Sequence, residues 1–136
     1  MKILMQWYSS STRSTTSSDI DAYIMTSLHE QDCNEIGTEL AALDDSSIST
    51  RLVELSPAWT YDDQEHVICH SYSFSNYYQT MAFANVVAQI AHQQDHHPRM
   101  IIEYRTCTVK YSTHSVAGIS IKDFICAAKI NKALTL

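Results

Sequence analysis

Glycine and proline are scarce in this chain, two of each in 136 residues. So few glycines leave no material for the glycine-rich loop that cradles phosphates in nucleotide-binding proteins. Basic side chains are also few: nine Lys and Arg stand against fifteen Asp and Glu, for a formal charge of −6. That balance, without any basic run, argues against a nucleic-acid surface. No apolar run approaches the roughly 20 residues that span a bilayer. The opening Met1-Lys2-Ile3-Leu4-Met5 is broken by Gln6 and is too short for a secretory core. Cys33, Cys69, Cys107 and Cys126 show no Cys-x-x-Cys spacing. They fit reduced, partly buried thiols in a cytoplasmic protein better than a disulfide framework or a structural zinc site.

The length points to one domain able to bury a real core. Residues 9–18 read SSSTRSTTSS, a polar tract that cannot bury enough apolar surface to order itself. A transit peptide shares this Ser-rich, acid-poor composition but carries more than the single Arg13, so organellar import is the minor expectation. Residues 19–42 hold apolar positions without a clean period. The expected division is an N-terminal extension over 1–42, partly disordered, and a domain over 43–136.

Within that domain the first helix is predicted to start at Asp45 or Ser46, both good N-caps, with Ile48, Leu52 and Leu55 on one stripe and Pro57 ending it. Trp59-Thr60-Tyr61 reads as a short strand and Asp62–Glu65 as a polar turn. His66 to Phe74 alternates, with Ile68, His70, Tyr72 and Phe74 on one face, as a half-buried strand does. Asn76 caps the next helix, with Gln79 at capping-box spacing. Its predicted stripe is Tyr77, Met81, Ala84, Val87, Ala88 and Ala91, joined by Phe83 and Ile90. Met100–Arg105 and Cys107–Ser112 are expected to pair as an antiparallel hairpin. Gly118 is predicted to turn the chain toward a last helix, capped by Ser120 and striped by Ile121, Phe124, Ile125 and Ala128. The order α-β-β-α-β-β-α implies an α+β fold, a four-stranded antiparallel sheet with helices on one face.

Three of the seven histidines fall in one stretch, Ala91-His92-Gln93-Gln94-Asp95-His96-His97-Pro98, directly after the strongest helical pattern. Pro98 disfavours helical geometry at His97 and stops the helix there. His114 follows the hairpin, and Asp123 lies nine residues beyond it. His92 and His96 share a face of a continuous helix, a spacing a zinc site could use. Against metal, the interposed Glu of metalloprotease helices is missing, no thiolate lies nearby, and adjacent His96 and His97 cannot easily face one ion. A structural reading suits one histidine near a helix C-terminus, where the macrodipole favours it. It suits His96, His97 and His114 together less well. His29, His66 and His70 read as arm and strand residues, and the tyrosines with Met81 as core. Asp123, three residues after Ser120, reads as a helix cap first and a histidine-orienting group second. The functional reading is a proton-transfer set, because imidazole exchanges protons near neutral pH without much tuning.

With these residues in view, the chain resembles the pterin-4a-carbinolamine dehydratase family. The resembling pattern is His92-x-x-x-His96-His97-Pro98, then Tyr104, His114 and Asp123 at matching spacings, over about residues 43–131. It is supported by Leu55-x-Pro57-x-Trp59, by Met81–Ala88 and by Ser112–Ser120. His92 departs from many relatives, which have a carboxylate there. The resemblance implies dehydration of a 4a-hydroxytetrahydropterin, the spent pterin of aromatic amino-acid hydroxylases, to quinonoid dihydropterin. It implies His96 and His114 as the proton-transfer pair, His97 as a catalytic and ring-orienting group, and Asp123 and His92 as orienting residues. No metal or redox cofactor is expected, since the pterin is the substrate. Expected partners are the pterin and further copies of the chain, as dimers or tetramers, with a hydroxylase in the same pathway. Binding proteins of the family, including a transcriptional coactivator and assembly factors, supply the non-catalytic alternative.

Overall fold

The computed structural model describes residues 27–55 and 57–135. The polar tract at 9–18 lies outside them. Helix α1 (Asp45–Glu54) is capped by Asp44, one residue before the expected start, whose carboxylate accepts the Ser47 N–H at 2.8 Å. Strands β1 (Thr60–Asp62) and β2 (Val67–Ser73) pair antiparallel. Helix α2 (Tyr77–Gln94) follows, then β3 (Arg99–Ile102), β4 (Thr106–Tyr111) and α3 (Ile121–Ala133). The sheet order is β1-β2-β4-β3, antiparallel throughout, so the two hairpins meet along β2 and β4. This is the α+β architecture expected from the pattern. Among the described residues, no helix is long and apolar enough to cross a membrane.

Alternation decides which side of the sheet is covered. Ile68, Tyr72, Cys107, Val109 and Tyr111 are buried toward the helices, and their neighbours Cys69, Ser71, Thr108 and Lys110 take the opposite face. On α2 the buried face is Thr80, Phe83, Ala84, Val87, Ile90, Ala91 and Gln94. Tyr77 and Ala88, expected on the stripe, point outward, and Tyr78 and Tyr104 are also exposed. The helix is rotated because two polar residues belong to its inner face: Thr80 donates to the Tyr104 carbonyl at 3.0 Å, and Gln94 accepts the Cys33 N–H at 2.9 Å. Satisfied in this way, a buried polar side chain costs little.

His66 does not lie in the strand. It occupies the turn before β2 with φ 51°. In the loop before α3 the left-handed residue is Ala117 (φ 51°), not Gly118, which instead bridges to Thr113. Over its described part the arm before α1 is irregular, with short helical turns and no long element. Two 3-10 turns, Leu28–Glu30 and Cys33–Glu35, lie against α3 and place Leu28 and Cys33 in the same core as Phe124 and Ile130. The arm's apolar residues match no helix or strand period because they dock singly, through short turns.

Candidate active site

Two chain reversals build the site. At the end of α2, Asp95 adopts the left-handed conformation, φ 45° and ψ 42°. The Asp95 N–H bonds the His92 carbonyl, and the His96 N–H reaches back to Ala91 O at 3.1 Å, the two bonds of a Schellman motif. Asp tolerates this conformation better than most residues. Pro98 then keeps the chain out of helix, so His96 and His97 leave the helix end in a fixed direction. Beyond β4, the Thr113–Gly118 bridge closes a loop holding the short turn His114–Val116. The loop delivers the chain to Ser120, the N-cap of α3.

Asp123, in the first turn of α3, joins the two reversals. Its carboxyl group is fully buried, and its Oδ1 lies 2.6 Å from His96 Nε2. Oδ2 accepts the Ser120 N–H and the Thr113 hydroxyl, each at 2.8 Å. Thr113 Oγ1 in turn stands 2.7 Å from Ser120 Oγ. A carboxylate only accepts, so with Asp123 ionised Nε2 of His96 donates to Oδ1, and Nδ1 is the nitrogen left for other chemistry. The His96 ring stacks on Tyr111 at 5.6 Å, 12° from parallel. Burial pushes the Tyr111 hydroxyl far above the ordinary phenol value, so the ring beneath His96 stays neutral.

A cavity opens in front of this pair in two lobes of about 350 and 290 Å³ that share His97, Ser112 and His114. The smaller lobe adds His96, Asp95, Thr113 and Lys122. The larger ends on Glu65, Arg99 and Lys110, where Lys110 Nζ holds both Glu65 oxygens at 2.9 and 2.8 Å and Arg99 bonds the same carboxylate. The Lys110 hydrogen bond, with the charges of Lys110 and Arg99, keeps the Glu65 carboxyl below the usual carboxylate range.

The structure therefore brings His96, His97, His114 and Asp123 together. His92 stays on the exposed side of α2 and lines neither lobe. His70 lies elsewhere, its ring 3.8 Å from that of Tyr72 and 5.5 Å from that of Trp59, and desolvation lowers its pKa. Among the described residues, no group of three or more His, Cys, Asp or Glu side chains is placed to hold a metal ion. The sequence pattern does not single out Thr113, Tyr111 or the Glu65–Lys110–Arg99 network as site residues. Thr113 carried one available signal, a hydroxyl directly beside His114. The network carried none, because its members come from three separate strands or turns.

The family model for pterin 4 alpha carbinolamine dehydratase matches residues 41–133. The chain belongs to this family. Its relatives include a protein of Nitrosomonas eutropha, 49% identical over 83 residues, which are 61% of this chain and 72% of that one. Another, from Legionella pneumophila strain Corby, is 40% identical over 110 residues, 81% of this chain and 95% of that one. Both are provisionally named pterin-4-alpha-carbinolamine dehydratases. Among solved structures, the transcriptional coactivator/pterin dehydratase from Brucella melitensis matches with a TM-score of 0.63 at 28% identity, covering 67% of this chain and 96% of that one. His96, His97, His114 and Asp123 all fall inside the matched span.

Proposed function

We propose that this dehydratase-family protein removes water from 4a-hydroxytetrahydrobiopterin to give quinonoid dihydropterin, recycling the pterin used by aromatic amino-acid hydroxylases. The observation that carries the proposal is the 2.6 Å contact between His96 Nε2 and the buried Asp123 carboxylate. A carboxylate so placed fixes the imidazole tautomer and stabilises the imidazolium that forms when Nδ1 takes a proton, the logic of a histidine–aspartate pair in acyl-transfer enzymes.

In the proposed step His114, protonated, gives its proton to the 4a hydroxyl. The N5 lone pair forms the C4a=N5 bond as the C4a–O bond breaks and water leaves. His96 then removes the N5 proton, so one proton is delivered, one is taken, and exchange with solvent restores both imidazoles. His97, exposed on the lip shared by the two lobes, orients the ring. Proton transfer of this kind is general acid–base work that positioned imidazoles can carry. Self-association through an open sheet edge, β1 or β3, belongs to the same reading.

The test is the dehydration rate of chemically generated 4a-hydroxytetrahydropterin, followed by absorbance with and without the purified protein. Acceleration above the spontaneous rate is expected. A rate equal to the spontaneous one overturns the proposal and leaves the non-catalytic binding role.

A further inference from the structure

The last carbonyls of an α-helix have no partner within the helix and must find one outside it. At the end of α2 the Schellman bonds take the Ala91 and His92 carbonyls, and the arm supplies a further backbone partner and a side-chain one. Asn34 Nδ2 donates to the Gln93 carbonyl at 3.0 Å, and the Cys33 N–H donates to Oε1 of the buried Gln94 side chain at 2.9 Å. Asp32 holds Asn34 in place, its Oδ1 accepting the Asn34 N–H at 2.9 Å and Nδ2–H at 2.8 Å. The next residues along α2 are Asp95, which makes the reversal, and His96.

The same short segment grips α3. Cys33 Sγ lies 3.8 Å from Cys126 Sγ and 3.7 Å from the Lys122 carbonyl. Lys122 precedes Asp123, and Cys126 stands one turn after it. Cys33 and Asn34 thus touch the end of one helix and the first turns of the other, the two places that carry His96 and Asp123.

We propose that Cys33 and Asn34 are positioning residues, a clamp from the arm that sets the distance between His96 and Asp123. The inference rests on the acid–base role of His96 argued above. A short hydrogen bond is sensitive to small shifts of its donor, and a displacement of about 1 Å far from the chemistry can cost on the order of 10²-fold in rate. Neither clamp residue lines the cavity, so substrate contacts are left as they are.

The test uses the full chain with Asn34→Ala, an exposed site that does not threaten folding, and Asn34→Ala combined with Gln94→Met, which keeps side-chain length and removes the acceptor. Ile130→Val serves as a control that loosens the same core while leaving every clamp hydrogen bond in place. Three quantities are read: kcat and KM, melting temperature, and the NMR resonance of the His96 ring N–H that faces Asp123. The double variant is expected to lower kcat about tenfold with KM within about twofold, and to shift the ring resonance. The control is expected to melt lower with kcat and resonance unchanged. A clamp variant that only melts lower, with kcat and ring resonance as in the wild type, overturns the inference. If the wild type itself shows no dehydration, the functional proposal fails, and the ring resonance alone then decides whether the arm positions His96.

Discussion

His96 and Asp123 meet at 2.6 Å although 27 residues separate them, one at the end of a helix and the other in the first turn of the next. The buried carboxylate serves three donors at once: the ring nitrogen, the Ser120 N–H and the Thr113 hydroxyl. Its cap role and its histidine-orienting role are therefore one arrangement.

Asp123→Asn is expected to damage both roles. An amide has one oxygen for three donors, so either His96 or the loop loses its acceptor. Stability should drop by roughly 1–3 kcal/mol, and kcat should fall on the order of 10²-fold with KM little changed. Urea melts and initial rates measure the two effects. A variant with normal kcat would remove Asp123 from the mechanism.

His96→Ala and His114→Ala should each lower kcat substantially, within the ~10²–10⁴-fold that positioned proton transfer contributes. The double variant should approach the spontaneous rate. His97→Ala should act mainly on KM, since a ring-orienting contact is made in ground and transition states alike. Rates across pH, with circular dichroism confirming the folds, decide this; a folded double variant with wild-type kcat contradicts the assignment.

The arm divides into two parts with different expected responses. Deleting residues 1–18 should leave melting temperature and activity nearly unchanged. Leu28→Ala removes a side chain that is 6% exposed against α3 and should cost about 2 kcal/mol or more. Equal melting temperatures for Leu28→Ala and wild type would show that the arm contributes nothing to the core.

Acid sensitivity should trace in part to His70. Desolvation lowers its pKa in the folded state, so the unfolded chain takes up the proton first as pH falls. The stability linked to this group is complete above the ordinary histidine value, about 6.5, and is lost as pH drops through the lowered one. His70→Phe keeps the ring packed between Trp59 and Tyr72 and removes the titration. The wild type should therefore lose stability faster than His70→Phe between about pH 7 and pH 5. Parallel urea-midpoint curves would exclude the effect.

Exhaustive chelation should change neither kcat nor melting temperature, because the proposed step moves protons between imidazoles and substrate. Stoichiometric zinc in the purified protein, with activity lost on its removal, would point to a metal site instead.

Local pattern determined much of this molecule. Strand alternation placed Ile68, Tyr72, Val109 and Tyr111 inward, and the caps Asn76 and Ser120 marked two helix starts, because these signals act over a few residues through backbone geometry. The histidine cluster was legible for the same reason: Pro98 and the end of α2's apolar pattern show where the helix stops. Tertiary structure alone decided the rest. The inner face of α2 turned on Thr80 and Gln94, polar residues whose burial depends on partners at Tyr104 and Cys33. The docking of Leu28 and Cys33 depends on a hollow beside α3 that exists only after the sheet and helices assemble. His96 and Asp123 come together because a left-handed Asp95 and the Thr113–Gly118 bridge aim two distant segments at one point, and a sequence period carries no information about such a crossing.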